Sequence, residues 1–265
     1  MPLLRHFKVS SSLHFKSKGG EMPPFPLDPT MRERHLYIAI YLTAAAAVAG
    51  ALKWHYSTAN VNELRWILAP TTAIVESISG TGFRFEAYWG YLSDDRTFLI
   101  AAPCAGVNFL IVCFVMLAVR KLRDRRPLHL FIFLAVAYGW TVIANAVRIL
   151  IAINTRTQDE LASWPDFDTL HRIEGILVYF VFLIALGFAA EKLDRAGTDR
   201  MKRSSLVPVA VPLCAYYAIS LVLPILNGSF DSAKWGHFLS VLFVPLLVAV
   251  PLGLLSMTLT RNRRA

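Results

Sequence analysis

The sequence predicts an all-α polytopic membrane protein of about six transmembrane helices, with a small outer-face helix and hairpin cap between helices 1 and 2. Three observations carry that prediction. Hydrophobic residues make up 55% of the 265, and the mean hydropathy of +0.49 is too apolar for an ordinary water-soluble domain. Apolar runs long enough to cross a bilayer as helices recur along the chain. The basic residues fall in clusters that a multi-pass topology places on one side of the membrane.

The elements follow in order. The first 30 residues are polar, basic and proline-containing, as in Met22-Pro-Pro-Phe-Pro-Leu-Asp-Pro, and hold no apolar core of signal-peptide length. Residues 1–35 are read as a disordered cytoplasmic tail. Translation beginning at Met22 or Met31 stays open as an alternative. The six apolar spans are Leu36–Leu52, Ala105–Val119 (starting near Pro103), Leu128–Ile153, His171–Ala190, Leu206–Leu226 and Trp235–Thr260. Residues 36–190 form the expected core, and 191–265 a cytoplasmic loop followed by a two-helix extension.

Charge sets the orientation. Of 27 Lys and Arg residues, 19 lie in four segments (1–35, 120–126, 192–203 and 261–264) that six crossings place on one side. The other side carries Lys53, Arg65, Arg84, Arg96, Arg156 and Lys234. The positive-inside rule makes the richer side cytoplasmic, with both termini inside and the protein in the plasma (inner) membrane. The net charge of +9 is therefore a consequence of topology, and with no aromatic-basic motif beside it nucleic acid is not an expected partner. Membrane lipids are.

The longest external loop runs from Lys53 to Pro103. Leu64, Ile67, Leu68, Ile74, Val75 and Ile78 recur at helical spacing, predicting a helix over Val61–Ile78 on or dipping into the outer interface. Gly80-Thr-Gly82 ends it. Alternation in Phe83-Arg-Phe-Glu and again over Thr97–Ala101, separated by Ser93-Asp-Asp, predicts a hairpin that leads into Cys104.

Three polar groups stand near the outward ends of three predicted spans, where polar groups are costly and tend to be functional. Cys104 follows Pro103 at a helix start, where free backbone N–H groups and the positive end of the helix dipole favour a thiolate. Cys113 lies nine residues on, on the opposite face at 100° per residue, and Cys214 lies inside the fifth span. Both are expected to be small core hydrophobes, with no disulfide framework, no metal-ligand spacing and no cofactor. Arg148 sits five residues before Ile153, about 7 Å below the expected helix end. Asn145, one turn earlier on the same face, shares its direction. His171 begins the fourth span, with Asp166, Asp168 and Thr169 supplying capping groups and Glu174 and Gly175 at i+3 and i+4. Taken singly, each has a plain alternative: a buried thiol, a snorkelling arginine, an interfacial histidine. Their common side and depth argue for one site. Asn108, one turn after Cys104, and Asn145 are further candidates to orient substrate or catalytic groups.

The arrangement Pro103-Cys-Ala-Gly106, Asn145-x-x-Arg-Ile149 and His171-x-x-x-Gly175 resembles the exosortase/archaeosortase family over roughly residues 36–190. That family pattern often has Ser after the Cys, where this chain has Ala105; the hydroxyl is not one of the three family catalytic groups. Val-Asn-Phe after Gly106 is most similar to the exosortase K branch. The resemblance implies a membrane-embedded cysteine protease-transpeptidase with Cys104, Arg148 and His171 as its catalytic groups and its active site on the outer face. Its partners would be exported proteins with a C-terminal sorting tail: a short motif, a transmembrane helix and a basic cluster. Two other classes are compatible with parts of the sequence: a thiol-dependent membrane acyltransferase on envelope lipid or polysaccharide, and a non-catalytic envelope transport or assembly protein. The second predicts mid-membrane charges on several helices and inverted repeats, and neither is visible here.

Overall fold

A helix apolar around its whole circumference has no side to turn to water, and the long helices of this chain are of that kind. The computed structural model describes residues 29–120, 128–158, 167–196, 207–222 and 235–262. The helices are α1 (Pro29–Thr58), α2 (Arg65–Ser79), α3 (Val107–Arg120), α4 (Leu128–Gln158), α5 (Phe167–Ala196), α6 (Val207–Tyr217) and α7 (Trp235–Asn262). A π-helical turn, Ala218–Val222, extends α6. Four stretches are long and apolar enough to span a membrane: His35–Thr58, Ala102–Arg120, Leu128–Thr155 and Ile173–Leu193. Phe238–Leu254 is a shorter apolar stretch. The chain is a mostly helical multi-pass membrane protein. Four of the six expected spans meet the length and hydropathy that crossing requires among the described residues. The expected tail over 1–35 lies mostly outside them.

The short helix α3 is the centre of the bundle. Phe109, Leu110, Cys113, Phe114 and Met116 are buried on it, and α1, α4, α5 and α6 pack around it. Hydrogen bonds tie its neighbours together: Trp140 Nε1 on α4 donates to the Phe182 carbonyl on α5 at 2.9 Å, and Tyr41 on α1 donates to the Ala118 carbonyl on α3 at 3.4 Å. At the same end of α3, Arg120 Nη2 lies 4.0 Å from Glu191 Oε2 on α5, both side chains buried. A charge pair in this setting cross-links helices that have little hydrophobic drive to associate in lipid.

Between α1 and α3 the chain builds the cap. Leu64, Ile67, Leu68, Thr71, Thr72 and Val75 form the buried face of α2, which packs on α4 against Val142, Ala146 and Ile149. The helix is thus embedded in the bundle, with its Thr71 and Thr72 hydroxyls satisfied by the carbonyls one turn back. Three strands follow: β1 (Phe83–Glu86), β2 (Gly90–Ser93) and β3 (Leu99–Ile100), antiparallel in the order β1-β2-β3. The expected single hairpin, Phe83–Glu86 against Thr97–Ala101, is corrected here. A tight turn at residues 87–89 sends Gly90–Ser93 back along β1, with Phe85 opposite Tyr91, and β2 then pairs with β3. Ser93 and Asp95 make the second turn: Ser93 Oγ donates to Asp95 Oδ1 at 2.6 Å and accepts the Phe98 amide at 2.9 Å.

Candidate active site

Strand β3 delivers the chain into a 3₁₀ turn, Ala102–Ala105, that carries Cys104. Gly106 then adopts a left-handed conformation at φ 65°, and α3 begins at Val107. Cys104 therefore sits ahead of the α-helix, where the sequence placed it in the helix start. Its backbone N–H is occupied, donating to the Ala101 carbonyl at 2.8 Å. The Gly106 position has no room for a side chain. A Cβ there would run into the side-chain amide of Asn145 on α4.

Asn145 is 1% exposed and reads the turn directly: its Nδ2 donates to the Ala105 carbonyl at 2.9 Å. Its Oδ1 accepts from the Tyr179 hydroxyl of α5 at 2.5 Å. Arg148, one turn further along α4, donates from Nη1 to the same hydroxyl at 3.3 Å, with its Cζ 5.5 Å from the Tyr179 ring centre. Gly175 lets α5 come close, since a Cβ at that position would lie 2.8 Å from Arg148 Nε. Phe109 of α3 stacks on Tyr179, ring centres 4.7 Å apart at 15°.

The guanidinium of Arg148 lies within electrostatic reach of the Cys104 thiol and of Glu174. Tyr56 of α1 is within reach of both Cys104 and Arg148. Glu174 Oε1 accepts from Thr155 Oγ1 at 2.8 Å, joining α5 to α4 beyond Arg148. The result is a half-buried thiol within electrostatic reach of a guanidinium that is always charged, over the N-terminal end of the central helix. A fixed positive charge next to a sulfur nucleophile stabilises negative charge developing on it, or on an oxyanion formed beside it.

Of the residues singled out from sequence, Cys104, Arg148 and Asn145 come together. Arg148 lies ten residues before Gln158, about 15 Å below the end of α4, because the polar run after Ile153 continues the helix. His171 is the fifth residue of α5, four before Gly175 and so on the face of that helix that Gly175 turns to Arg148; its side chain lies outside the described residues, as do those of Asp168 and Thr169 in the first turn of α5 and the whole of Asp166. The Asn108 side chain is exposed and turns to α1, where its Oδ1 accepts from Lys53 Nζ at 3.0 Å. Cys113 is fully buried as expected. Cys214 is corrected, being exposed on α6 rather than in the core. Sequence reasoning missed Tyr179 and Tyr56. Tyr179 had a usable pattern, since His171, Gly175 and Tyr179 recur every four residues along one helix face. Tyr56 had none.

The bundle and its cluster define a multi-pass membrane protein with a cysteine and an arginine converging over one helix end. Residues 34–188 match the transmembrane exosortase family, and the chain belongs to it. No curated protein and no solved structure matches the chain.

Proposed function

We propose that this protein is a membrane-embedded cysteine transpeptidase that cleaves the C-terminal sorting tail of exported proteins. The observation that carries the reading is the hydrogen-bond chain that joins Arg148 through Tyr179 and Asn145 to the turn bearing Cys104, with Tyr179 on the helix that also bears His171. Cys104 would attack the scissile carbonyl as thiolate, forming the C–S bond and a tetrahedral oxyanion. Arg148 stabilises that negative charge. His171 transfers the proton taken from the thiol to the leaving amine as the C–N bond breaks. The thioester is then attacked by an amine or by water, releasing the acyl group and regenerating the thiolate. The substrate helix would lie beside the bundle with its sorting motif at the Cys104 end, which the distribution of basic residues makes the outer face.

The test compares variants at matched abundance by the size shift of a tail-bearing substrate in cells. Cys104→Ala abolishes processing and Cys104→Ser nearly does, because a hydroxyl is far less acidic than a thiol. His171→Ala is severely defective. Arg148→Lys is impaired despite its charge, since Lys lacks the planar fork. Cys113→Ala and Cys214→Ala process normally. Normal processing by Cys104→Ala would end the transpeptidase reading.

A further inference from the structure

We infer that Tyr179 is a positioning residue that aims Arg148 at Cys104 through its hydroxyl, an inference that rests on the cysteine-nucleophile reading above. A phenol has one proton to give and lone pairs to receive. Here the proton goes to Asn145 Oδ1 and a lone pair takes a hydrogen bond from Arg148 Nη1. Asn145 in turn spends Nδ2 on the Ala105 carbonyl, one residue from the nucleophile. One oxygen on α5 therefore sets two side chains of α4 and, through one of them, the turn that carries Cys104.

The surroundings restrict this oxygen to one place. Phe109 stacks on the ring, and Gly175, one turn before Tyr179, leaves the space that Arg148 Nε fills. Rotation of the ring away from Arg148 would break the stack as well as both hydrogen bonds. Among the described residues, the ionisable groups in reach of the hydroxyl are Arg148, Cys104, Tyr56 and Tyr216, and Glu174 lies within electrostatic reach of Arg148. Without the hydroxyl, the Glu174 carboxylate competes with the thiol for the Arg148 guanidinium. The hydroxyl is what makes the Cys104 side the preferred one. Hydrogen bonds to charged groups are among the stronger ones in proteins, enough to decide between two such orientations.

The experiment uses the full-length protein in detergent or nanodiscs, carrying Cys113→Ala and Cys214→Ala so that Cys104 is the only thiol. The probe is iodoacetamide, and the readout is the alkylation rate of Cys104 across pH. Tyr179→Phe keeps the ring and the Phe109 stack and removes only the oxygen. It should slow alkylation about tenfold at neutral pH, with the deficit closing at high pH where the thiolate forms unaided. Arg148→Gln should give a deficit of the same kind, and Tyr179→Phe added to Arg148→Gln should do little more, since both remove one effect. Trp140→Phe is the control for loosened packing: it removes another α4–α5 hydrogen bond, about two turns from Arg148. It should alkylate at the parental rate. Parental alkylation by Tyr179→Phe, or an equal loss in Trp140→Phe, would overturn the inference. Because this readout needs no substrate, it is separate from the transpeptidase reading. An intact pH-dependent loss in Tyr179→Phe together with no processing of any tail-bearing protein would leave Tyr179's role standing and remove the proposed reaction.

Discussion

Gly106→Ala tests the geometry of the Cys104 turn most directly. Two penalties are added by one methyl group. Gly106 sits at φ 65°, and a residue with a Cβ costs about 1–2 kcal/mol more than glycine in the left-handed region. The new Cβ also lands on the Asn145 amide, so the hydrogen bond to Ala105 must break or the turn must shift. Leaving that buried pair unmet costs about 1–3 kcal/mol more. The sum is about 2–5 kcal/mol of stability. Displacing the nucleophile by an ångström typically costs about a hundredfold in rate. Gly80→Ala isolates the first penalty. Gly80 has nearly the same backbone conformation, φ 71°, with nothing within 4 Å of its Cβ position. It should lose only the backbone part of the stability and keep normal processing. The assays are thermal unfolding in detergent followed by size-exclusion chromatography, and substrate size shift in cells at matched abundance. Equal behaviour of the two variants in both assays would show that contact between Gly106 and Asn145 does not hold the turn.

Three further outcomes are expected. Tyr88, 93% exposed at the β1–β2 turn, replaced by Cys in a chain lacking its three native cysteines, should label from the outside; labelling only from the cytoplasm would invert the topology and move the candidate site to the inner face. Glu191→Leu leaves Arg120 without the opposite charge at a site where their side chains are 4% and 6% exposed, so it should lower stability by about 3 kcal/mol or more, and Arg120→Leu in the same chain should restore most of it by thermal unfolding. Asp95 accepts from Ser93, and from the Thr97 amide and hydroxyl, which holds its carboxyl below the ordinary carboxylate range. The folded form thus binds its proton less readily than the unfolded one: its stabilisation is present above about pH 4 and lost as pH falls through the lowered value. Protection of the Thr97 amide from hydrogen exchange, corrected for intrinsic rate, should fall on acidification, and in Asp95→Ala it should be low and pH-independent.

Local rules decided much of this protein before any tertiary contact. Apolar runs interrupted by basic clusters specify multi-pass helices, because an unpaired backbone group in lipid is too costly to leave any other choice. The four long apolar spans, the Leu64, Ile67, Leu68 and Val75 part of the buried face at α2, and the isolation of Cys113 were legible, since each depends on residue type and helical period alone, whereas Ile78 is exposed and Thr71 and Thr72 are buried. So was the pairing of Asn145 with Arg148 on one face of α4, which both side chains direct toward Tyr179. The tertiary structure decided the rest. That Cys104 stands in a turn ahead of α3 was not legible, and the turn's Ala105 carbonyl is held by Asn145, a residue 40 positions further along whose amide also occupies the space a side chain at 106 would need. The middle strand of the cap could not be read from alternation, because four residues carry too little pattern and their partners exist only once the turn at 87–89 has closed. Asn108 accepts a hydrogen bond from Lys53 of α1, a neighbour no spacing within α3 reveals. Tyr179 became visible as the shared partner of Asn145 and Arg148 only when α5 packed against α4, since one hydroxyl joining two side chains is a property of the packed helices and not of either segment.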